Sequence, residues 1–398
     1  MPTEKTKGKT DVFNIDEYLA DEQKMMRDVV RKFIDREYKP IIMKCFEDDR
    51  FPIEIVPQLV ELGLLGIKTS EKYGGSGMDY MTYGLICQEL ERGDSGLRSF
   101  VSVQNLAMYP IEMFGSNEQK DLWLPRLVNG EIGCFGLTEP DHGSNPAGMK
   151  TYAKKDGDNY ILNGTKMWIT NGNIADLAIV WAKTDQNDQT GKSIRGFLVE
   201  KDRKGFSAVK MLHKGSLRAS ETAELILDDV VVPATNMLPG TDIGLKAAFM
   251  CLNEARYGIA WGVVGAAINC YECARDYCDS RIQFGKPIAS YQLIQAALAE
   301  MLTKINYGQL AVWQLAQLMA KDDHHKHLAI SMEKLDNSRM ALEVALAAVF
   351  AMGANGISLE YPPIRHLANL IAVNIYEGTE NVHLLTLGRH ITGIQAFS

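Results

Sequence analysis

Several signatures that most readily assign a function are missing from this chain of 398 residues. No GxGxxG opens a helix, so nothing offers the glycine-rich turn on which a dinucleotide pyrophosphate rests. HExxH and GxSxG are absent as well, which removes the zinc-protease pair and the nucleophile elbow. KGKT at 7–10 resembles the end of a P-loop, but Thr3 stands where its first glycine belongs and no strand pattern precedes it. Basic residues are not in excess: 42 Lys and Arg face 50 Asp and Glu, net −8, and they are scattered rather than striped, which disfavours a nucleic-acid partner. Long apolar runs are missing too. GIAWGVVGAAINC (258–270) is too short to span a bilayer and the run near 341–357 is interrupted by Glu343, so a soluble chain without membrane insertion is expected. The opening MPTEKTKGKTDVFNID has no apolar core and carries acids, unlike a signal or transit peptide. A processed chain has already lost such a segment, so bacterial cytoplasm and mitochondrial matrix both stay open.

Cysteine is sparse: Cys45, Cys87, Cys134, Cys251, Cys270, Cys273 and Cys278. An odd count in so long a chain predicts reduced thiols in an intracellular compartment. CYEC at 270–273 is formally a CxxC, but a zinc site wants a second pair or a nearby His, and a thioredoxin-like pair follows a strand rather than an apolar helical run. Small residues packed on one helical face are the simpler reading. KDDHHKH at 321–327 reads as a solvated break between helices, and no metal site is expected.

What is present is a change of periodicity. From about 20 to 130 apolar residues recur at helical spacing, as in DEQKMMRDVVRKFIDREY. From Cys134 to about 240 the pattern turns to short β-rich stretches, NYILNGTKMWIT, LAIVWAKT, IRGFLVEK and AELILDDVVVP. Asp156-Gly157 and Asn163-Gly164 read as hairpin turns. Beyond Pro239-Gly240 long helical patterns resume. The reading is mainly α with a wholly antiparallel β-domain in the middle: 1–133 helical, 134–242 β, 243–398 a helical bundle. A Rossmann fold would need strands alternating with helices.

Near the end, IYEGTEN (375–381) sets Glu377 among apolar neighbours. Two readings are open. A dry surrounding raises a carboxylate's pKa and makes it a useful base; alternatively this is a solvated Glu at a helix start, with Gly378 and Thr379 as cap residues.

Seven stretches occur in order: CFGLTEPDHGSN (134–145), KMWITN (166–171), GSLRAS (215–220), LNEARYGIAWG (252–262), RIQFGKPI (281–288), GANGIS (353–358) and YEGT (376–379). Over nearly the whole chain they resemble the acyl-CoA dehydrogenase family, flavoenzymes with a helical domain, a β-domain and a four-helix bundle. ERGDSGLRS (91–99), NEARYGIAWG and LGRHITGIQAF (387–397) resemble the branch that acts on glutaryl-CoA. The resemblance makes Glu377 the base that removes the thioester α-proton, with its own backbone N–H and a flavin ribityl hydroxyl holding the enolate oxygen and hydride passing to flavin N5.

The same resemblance implies FAD contacts at Phe135, Gly136, Leu137, Thr138 and Ser144 beside the ring, and at Trp168, Ile169 and Thr170 on its other side. For Trp168 a plain core aromatic on a strand is the alternative. Arg281, Phe284, Gln292, Gly353, Ala354, Thr379, Asn381 and Phe397 complete the cofactor set, some reaching a neighbouring subunit's FAD, which implies a homotetramer. Asn253, Arg256 and Tyr257 match the CoA-binding helix, and Ser144, Tyr376 and Gly378 also line the substrate. Arg98 and Ser99 match the residues that meet a distal carboxylate, with Glu91 beside them; an unpaired Arg in an apolar tunnel is costly, so a ligand carboxylate is a natural partner. The alternative is a salt bridge to Glu91 or Asp94 along what reads as one helix, Glu91 lying two turns before Arg98.

Oxidative decarboxylation of glutaryl-CoA to crotonyl-CoA and CO2 is thus expected, with electrons passed to an electron-transferring flavoprotein. A non-decarboxylating relative, another short-chain acyl-CoA dehydrogenase, an oxidase and a non-enzymatic binding protein are the alternatives. Asn145, Phe350 and Ala354 depart from the usual pattern near the cofactor, and Gly93, Leu97 and Phe100 from that near Arg98.

Overall fold

Tyr80 to Ser95 decides much of the architecture, because a helix stops there and another starts almost at once. The computed structural model describes residues 10–396; Phe397 and most of KGKT lie outside them. Six helices come first: α1 (Asp21–Phe33), α2 (Lys39–Glu47), α3 (Val56–Glu61), α4 (Tyr80–Gly93), α5 (Ser95–Phe114) and α6 (Asn117–Val128). Seven strands follow: β1 (Gly133–Gly136), β2 (Tyr152–Asp156), β3 (Asn159–Thr170), β4 (Leu177–Lys183), β5 (Ile194–Glu200), β6 (Phe206–Lys210) and β7 (Thr222–Pro233). Then come α7 (Leu245–Ser280), a two-strand ribbon of β8 (Ile282–Gln283) and β9 (Lys286–Pro287), and α8 (Gln292–Ala320), α9 (Lys326–Met352), α10 (Pro362–Val373) and α11 (Glu380–Thr392). The helical, β, helical order is the one expected from sequence.

Two compact units account for the chain. One holds the described residues up to Phe46, Asp79–Arg98 and the chain from Arg256 onward; the other holds Glu47–Met78 and Ser99–Ala255. In the second, the sheet runs β1-β4-β2-β3-β7-β6, with β5 also on β4. Two expectations need correction here. The sheet is mixed rather than wholly antiparallel, since β1 pairs parallel with β4 and Tyr152 pairs parallel with Lys183. The β2–β3 hairpin lies between β1 and β4 in sequence and supplies the long crossover that parallel pairing requires. Asp156-Gly157 does turn that hairpin, but Asn163-Gly164 lies inside β3, at a register shift against β7. Gly164 sits there at φ +145, and a Cβ on it would meet Thr151 Oγ1 at 2.4 Å. Phe135, Trp181, Leu198, Leu127 and Ile111 share this unit's apolar core.

In the first unit α9 packs against α8, α10 and α11. By length and composition the helical stretch Lys326–Ile357 is apolar enough to cross a membrane. Polar side chains tie it to its neighbours: the buried Asn337 donates through Nδ2 to the Ala260 carbonyl of α7 at 3.2 Å, and the half-buried Asn374 through Nδ2 to the Ser338 carbonyl at 3.1 Å. All seven cysteines are free thiols, buried except for the half-buried Cys273. Cys270 and Cys273 lie on α7, and burial pushes the Cys273 thiol up to about 11 and that of Cys134 up to about 12.

Candidate active site

The helix read as continuous through Glu91 and Arg98 is broken. Asp94, extended at φ −169 and ψ 145, ends α4, and its Oδ1 accepts from Gly96 N at 2.7 Å to start α5. Its other oxygen receives Arg365 Nε and Asn369 Nδ2, each at 2.9 Å, which commits the Asp94 carboxylate to α10. The break aims Arg98 back at α4, where Nε lies 2.7 Å from Glu91 Oε2. Both side chains are buried, Arg98 to 2% exposure. The Arg98 guanidinium also donates to the Tyr376 hydroxyl. Burial disfavours its charge, but Glu91 and Tyr376 more than offset this and raise its pKa. The Glu91 salt bridge weighed from sequence is therefore formed, though not along one helix, and Asp94 takes no part in it. Gly262 of α7 allows the approach, since a Cβ there would meet Glu91 Oε2 at 2.1 Å.

Directly after Tyr376 the chain takes an unusual turn. Glu377 adopts φ +54, the left-handed region that costs a residue with a side chain about 1 kcal/mol or more, and Gly378 follows at φ +97. Its two consecutive carbonyls are each held by a cation: Arg256 Nε donates to Glu377 O at 2.7 Å, and Lys334 Nζ to Gly378 O at 2.9 Å. Glu377 Oε2 is shielded from solvent and accepts no hydrogen bond among the described residues. Burial raises the carboxyl's pKa, opposed by Arg256, Lys334 and Arg98. Thr379 N-caps α11 without a side-chain bond, so the bland reading of this stretch describes the residues after Glu377 but not Glu377 itself.

The other unit carries a second constellation. A register shift between Lys166 and Ile169 bulges β3, and Trp168 stands out at φ +64 with 59% of its surface exposed. Met167 N donates to Thr138 O at 2.9 Å, and buried Lys166 Nζ reaches Leu137 O at 3.1 Å and Glu139 Oε1 at 2.8 Å. The Phe135–Thr138 run and the Trp168–Thr170 strand are therefore laced side by side, Ile169 turned inward and Trp168 outward. A core aromatic would not be left in solvent, so the packing alternative for Trp168 does not describe it.

The remaining predicted residues are more dispersed. Ser99 is buried, its Oγ without a hydrogen-bond partner among the described residues, Ser144 is exposed and Asn253 half-buried. Tyr257 is fully buried and its hydroxyl donates to Tyr80 O at 2.6 Å. Arg281, Phe284, Gln292, Gly353, Ala354 and Asn381 are exposed. Sequence reading passed over Lys334, yet its signal was visible: a lysine in the apolar register of α9, between Ile330 and Ala341. It also passed over Gly262, Lys166 and the Asp94–Arg365–Asn369 cluster.

Three family models cover the chain in succession: the acyl-CoA dehydrogenase N-terminal domain over residues 20–131, the middle domain over 134–230 and the C-terminal domain over 242–392. The crystal structure of glutaryl-CoA dehydrogenase from Mycobacterium smegmatis is 48% identical, with TM-score 0.93, over 98% of this chain and 99% of that one. A second structure of that enzyme, 47% identical with TM-score 0.93 over 97% of this chain and 98% of that one, is a complex with FADH2. A chain from a structure described as the electron transferring flavoprotein of Acidaminococcus fermentans is 34% identical, with TM-score 0.90, over 94% and 98%. Among curated proteins, the rat mitochondrial short-chain specific acyl-CoA dehydrogenase is 36% identical over 94% of this chain and 90% of its own length.

FAD is the cofactor of this family, and the residues present fit it. Trp168, held out by a left-handed bulge, offers an apolar face to a planar ring, beside main-chain groups of the Leu137–Thr138 stretch that can meet polar ring atoms. With its domains matched in succession from residue 20 to residue 392, the chain belongs to the acyl-CoA dehydrogenase family of FAD-dependent oxidoreductases.

Proposed function

We propose that this enzyme oxidises an acyl-CoA whose far end carries a carboxylate, glutaryl-CoA, and releases crotonyl-CoA and CO2. The observation that carries the reading is the charge around Glu377. Three cations, Arg98, Arg256 and Lys334, act on it, and Arg98, paired with Glu91, is buried to 2% exposure. A dicarboxylic acyl group supplies a carboxylate that the Arg98 guanidinium can meet. Arg98, with Ser99 and Tyr376, receives the distal carboxylate, and Glu91 fixes the guanidinium so that little conformational freedom is lost on binding. Arg256 and Gly378 line the thioester and CoA end.

Phe135 to Thr138, Ser144 and Trp168 to Thr170 hold FAD, with Arg281, Phe284, Gln292, Gly353, Ala354, Thr379 and Asn381 completing the cofactor site across a homotetramer. Large apolar side chains left in solvent on the first unit, Phe284 at 93% exposure among them, support such assembly. When bound, FAD accepts hydride from the acyl β-carbon. Glu377 takes the α-proton: its ordinary basicity is far too low, and burial raises it toward what the step needs. The Glu377 N–H, fixed by the turn, stabilises the enolate oxygen. After CO2 leaves, the same carboxyl, now protonated, returns its proton to the γ-carbon. An electron-transferring flavoprotein as acceptor is supported by the likeness to the Acidaminococcus chain.

The second reading is a short-chain monocarboxylic acyl-CoA substrate, favoured by the rat relative and by the pairing of Arg98 to Glu91 and Tyr376. FAD-loaded protein mixed with glutaryl-CoA and an artificial acceptor separates the two by product mass. Crotonyl-CoA with CO2 supports the proposal; glutaconyl-CoA removes decarboxylation; no turnover with glutaryl-CoA while butyryl-CoA is oxidised sinks it.

A further inference from the structure

The turn that carries Glu377 is not held by its own segment. Tyr376 N reaches back to Ala372 O at 3.0 Å, but past that point support comes from side chains of other helices. Arg256 of α7 takes the Glu377 carbonyl and Lys334 of α9 the Gly378 carbonyl. Fixing two successive carbonyls fixes the orientation of two peptide planes, which a left-handed residue with a side chain does not maintain unaided. Lys334 is the more costly of the two: it is 1% exposed, and burial brings its pKa down to about 7. The charged groups facing it are Glu377, Glu380, Arg256 and Arg98, and the carbonyl of Gly378 is its hydrogen-bonded partner.

An amine buried against two guanidinium groups is destabilising for the fold, and a methionine of the same length would fill the space without that cost. A residue kept for packing alone would not be a lysine here. We propose that Lys334 is a positioning residue for the base: its ammonium, bonded to the Gly378 carbonyl, locks the Glu377–Gly378 turn and so sets where the Glu377 carboxylate and backbone N–H point. The inference rests on the reading of Glu377 as the base. It adds a residue that touches neither substrate nor cofactor and acts only through the turn.

The test uses full-length FAD-loaded enzyme as wild type, Lys334→Met, Lys334→Arg and Glu377→Gln. A thioester analogue with sulfur in place of the β-carbon cannot be oxidised, so exchange of its α-hydrogens for deuterium, followed by mass, reports proton removal alone. A base displaced by about 1 Å loses on the order of 100-fold, so Lys334→Met is expected to slow exchange roughly 10- to 100-fold with a thermal midpoint equal to or above that of wild type. Faster amide exchange at residues 376–379 should accompany it, and Lys334→Arg should recover most of the rate. Where Lys334→Met yields no folded holoenzyme, Lys334→Gln carries the same comparison. A wild-type exchange rate in the uncharged variant, or a loss with unchanged protection of 376–379, overturns the inference. Glu377→Gln separates the two layers. If it still exchanges α-hydrogens, the base assignment falls and the inference with it; if it is inert while Lys334→Met is unimpaired, only the role of Lys334 falls.

Discussion

Arg98 donates to the hydroxyl of Tyr376 across 278 residues of sequence, and the residue after Tyr376 is Glu377. The group proposed to read the far end of the acyl chain and the group proposed to remove its α-proton are therefore held to a common reference point.

Arg98→Met should cost a charge-assisted contact to the distal carboxylate of about 1.5–3 kcal/mol. That corresponds to roughly a 10- to 150-fold fall in kcat/KM for glutaryl-CoA relative to butyryl-CoA. It also strands Glu91 in the interior, a loss of about 3–5 kcal/mol of stability. Adding Glu91→Gln should restore the thermal midpoint without restoring the preference. An unchanged ratio of kcat/KM values would remove Arg98 from substrate recognition.

The pH profile follows from Glu377. Burial lifts its pKa above the ordinary 4.5, and only the carboxylate accepts a proton. Rate should fall as pH drops through the raised value, and fall again on the alkaline side as the Lys334 ammonium, which burial holds down to about 7, loses its proton. In Glu377→Gln proton removal should fall by about 100- to 10,000-fold, the usual worth of a general base. Rapid-mixing measurement of flavin reduction from pH 5 to pH 9 checks both.

Trp168→Ala removes an exposed side chain, so the stability of the apoprotein should change by less than about 0.5 kcal/mol. FAD binding should weaken by about 1–2 kcal/mol, roughly a 5- to 30-fold rise in Kd. Quenching of flavin fluorescence on titration reads the constant. Unaltered affinity would mean that the indole does not cover the ring.

Gly262→Ala introduces a methyl group where Glu91 Oε2 would lie 2.1 Å away. The carboxylate must leave Arg98 to make room, and an overpacking cost of about 1–3 kcal/mol is expected. Chemical denaturation measures it. A neutral outcome would show that the Glu91–Arg98 pair is free to shift.

His383 supplies an acid-stability test. Burial, with Lys334 and Arg256 adding to it, holds the ring down to about 3, from an ordinary 6.5. Between those values the unfolded chain binds the proton and the folded one does not, so stability falls as pH drops below about 6.5. His366, buried and held well below its ordinary value, acts in the same direction. His383→Gln should flatten the slope of thermal midpoint against pH between 6.5 and 4, whatever its absolute stability. A slope identical to wild type would assign the acid lability elsewhere.

Sequence alone carried the helical, β, helical order, because apolar spacing changes from 3.6 to 2 and back near Cys134 and Pro239. It also reached Glu377, Arg98 and Trp168, through stretches short enough to be recognised as written. What it missed depended on long-range contact. The break at Asp94 is invisible to periodicity, since ERGDSGLRS keeps helical spacing through it; the capping bond to Gly96 and the pull of Arg365 and Asn369 decide it. The bulge at Gly164 mimicked a hairpin because Asn-Gly serves both, and only pairing with β7 distinguishes them. Lys334 escaped because its partner is a carbonyl that exists only once the turn has folded.

The thiols described earlier bear on how the enzyme can be studied. Thiolate is the reactive form, and burial keeps Cys134 and Cys273 protonated far above neutral pH. With six of the seven thiols buried outright, the native cysteines are expected to react slowly with maleimide and similar reagents under mild conditions. One cysteine introduced at an exposed position, Ser144 for example, would be labelled preferentially, so a fluorophore or spin probe can be placed beside the β-domain site without first removing seven native residues.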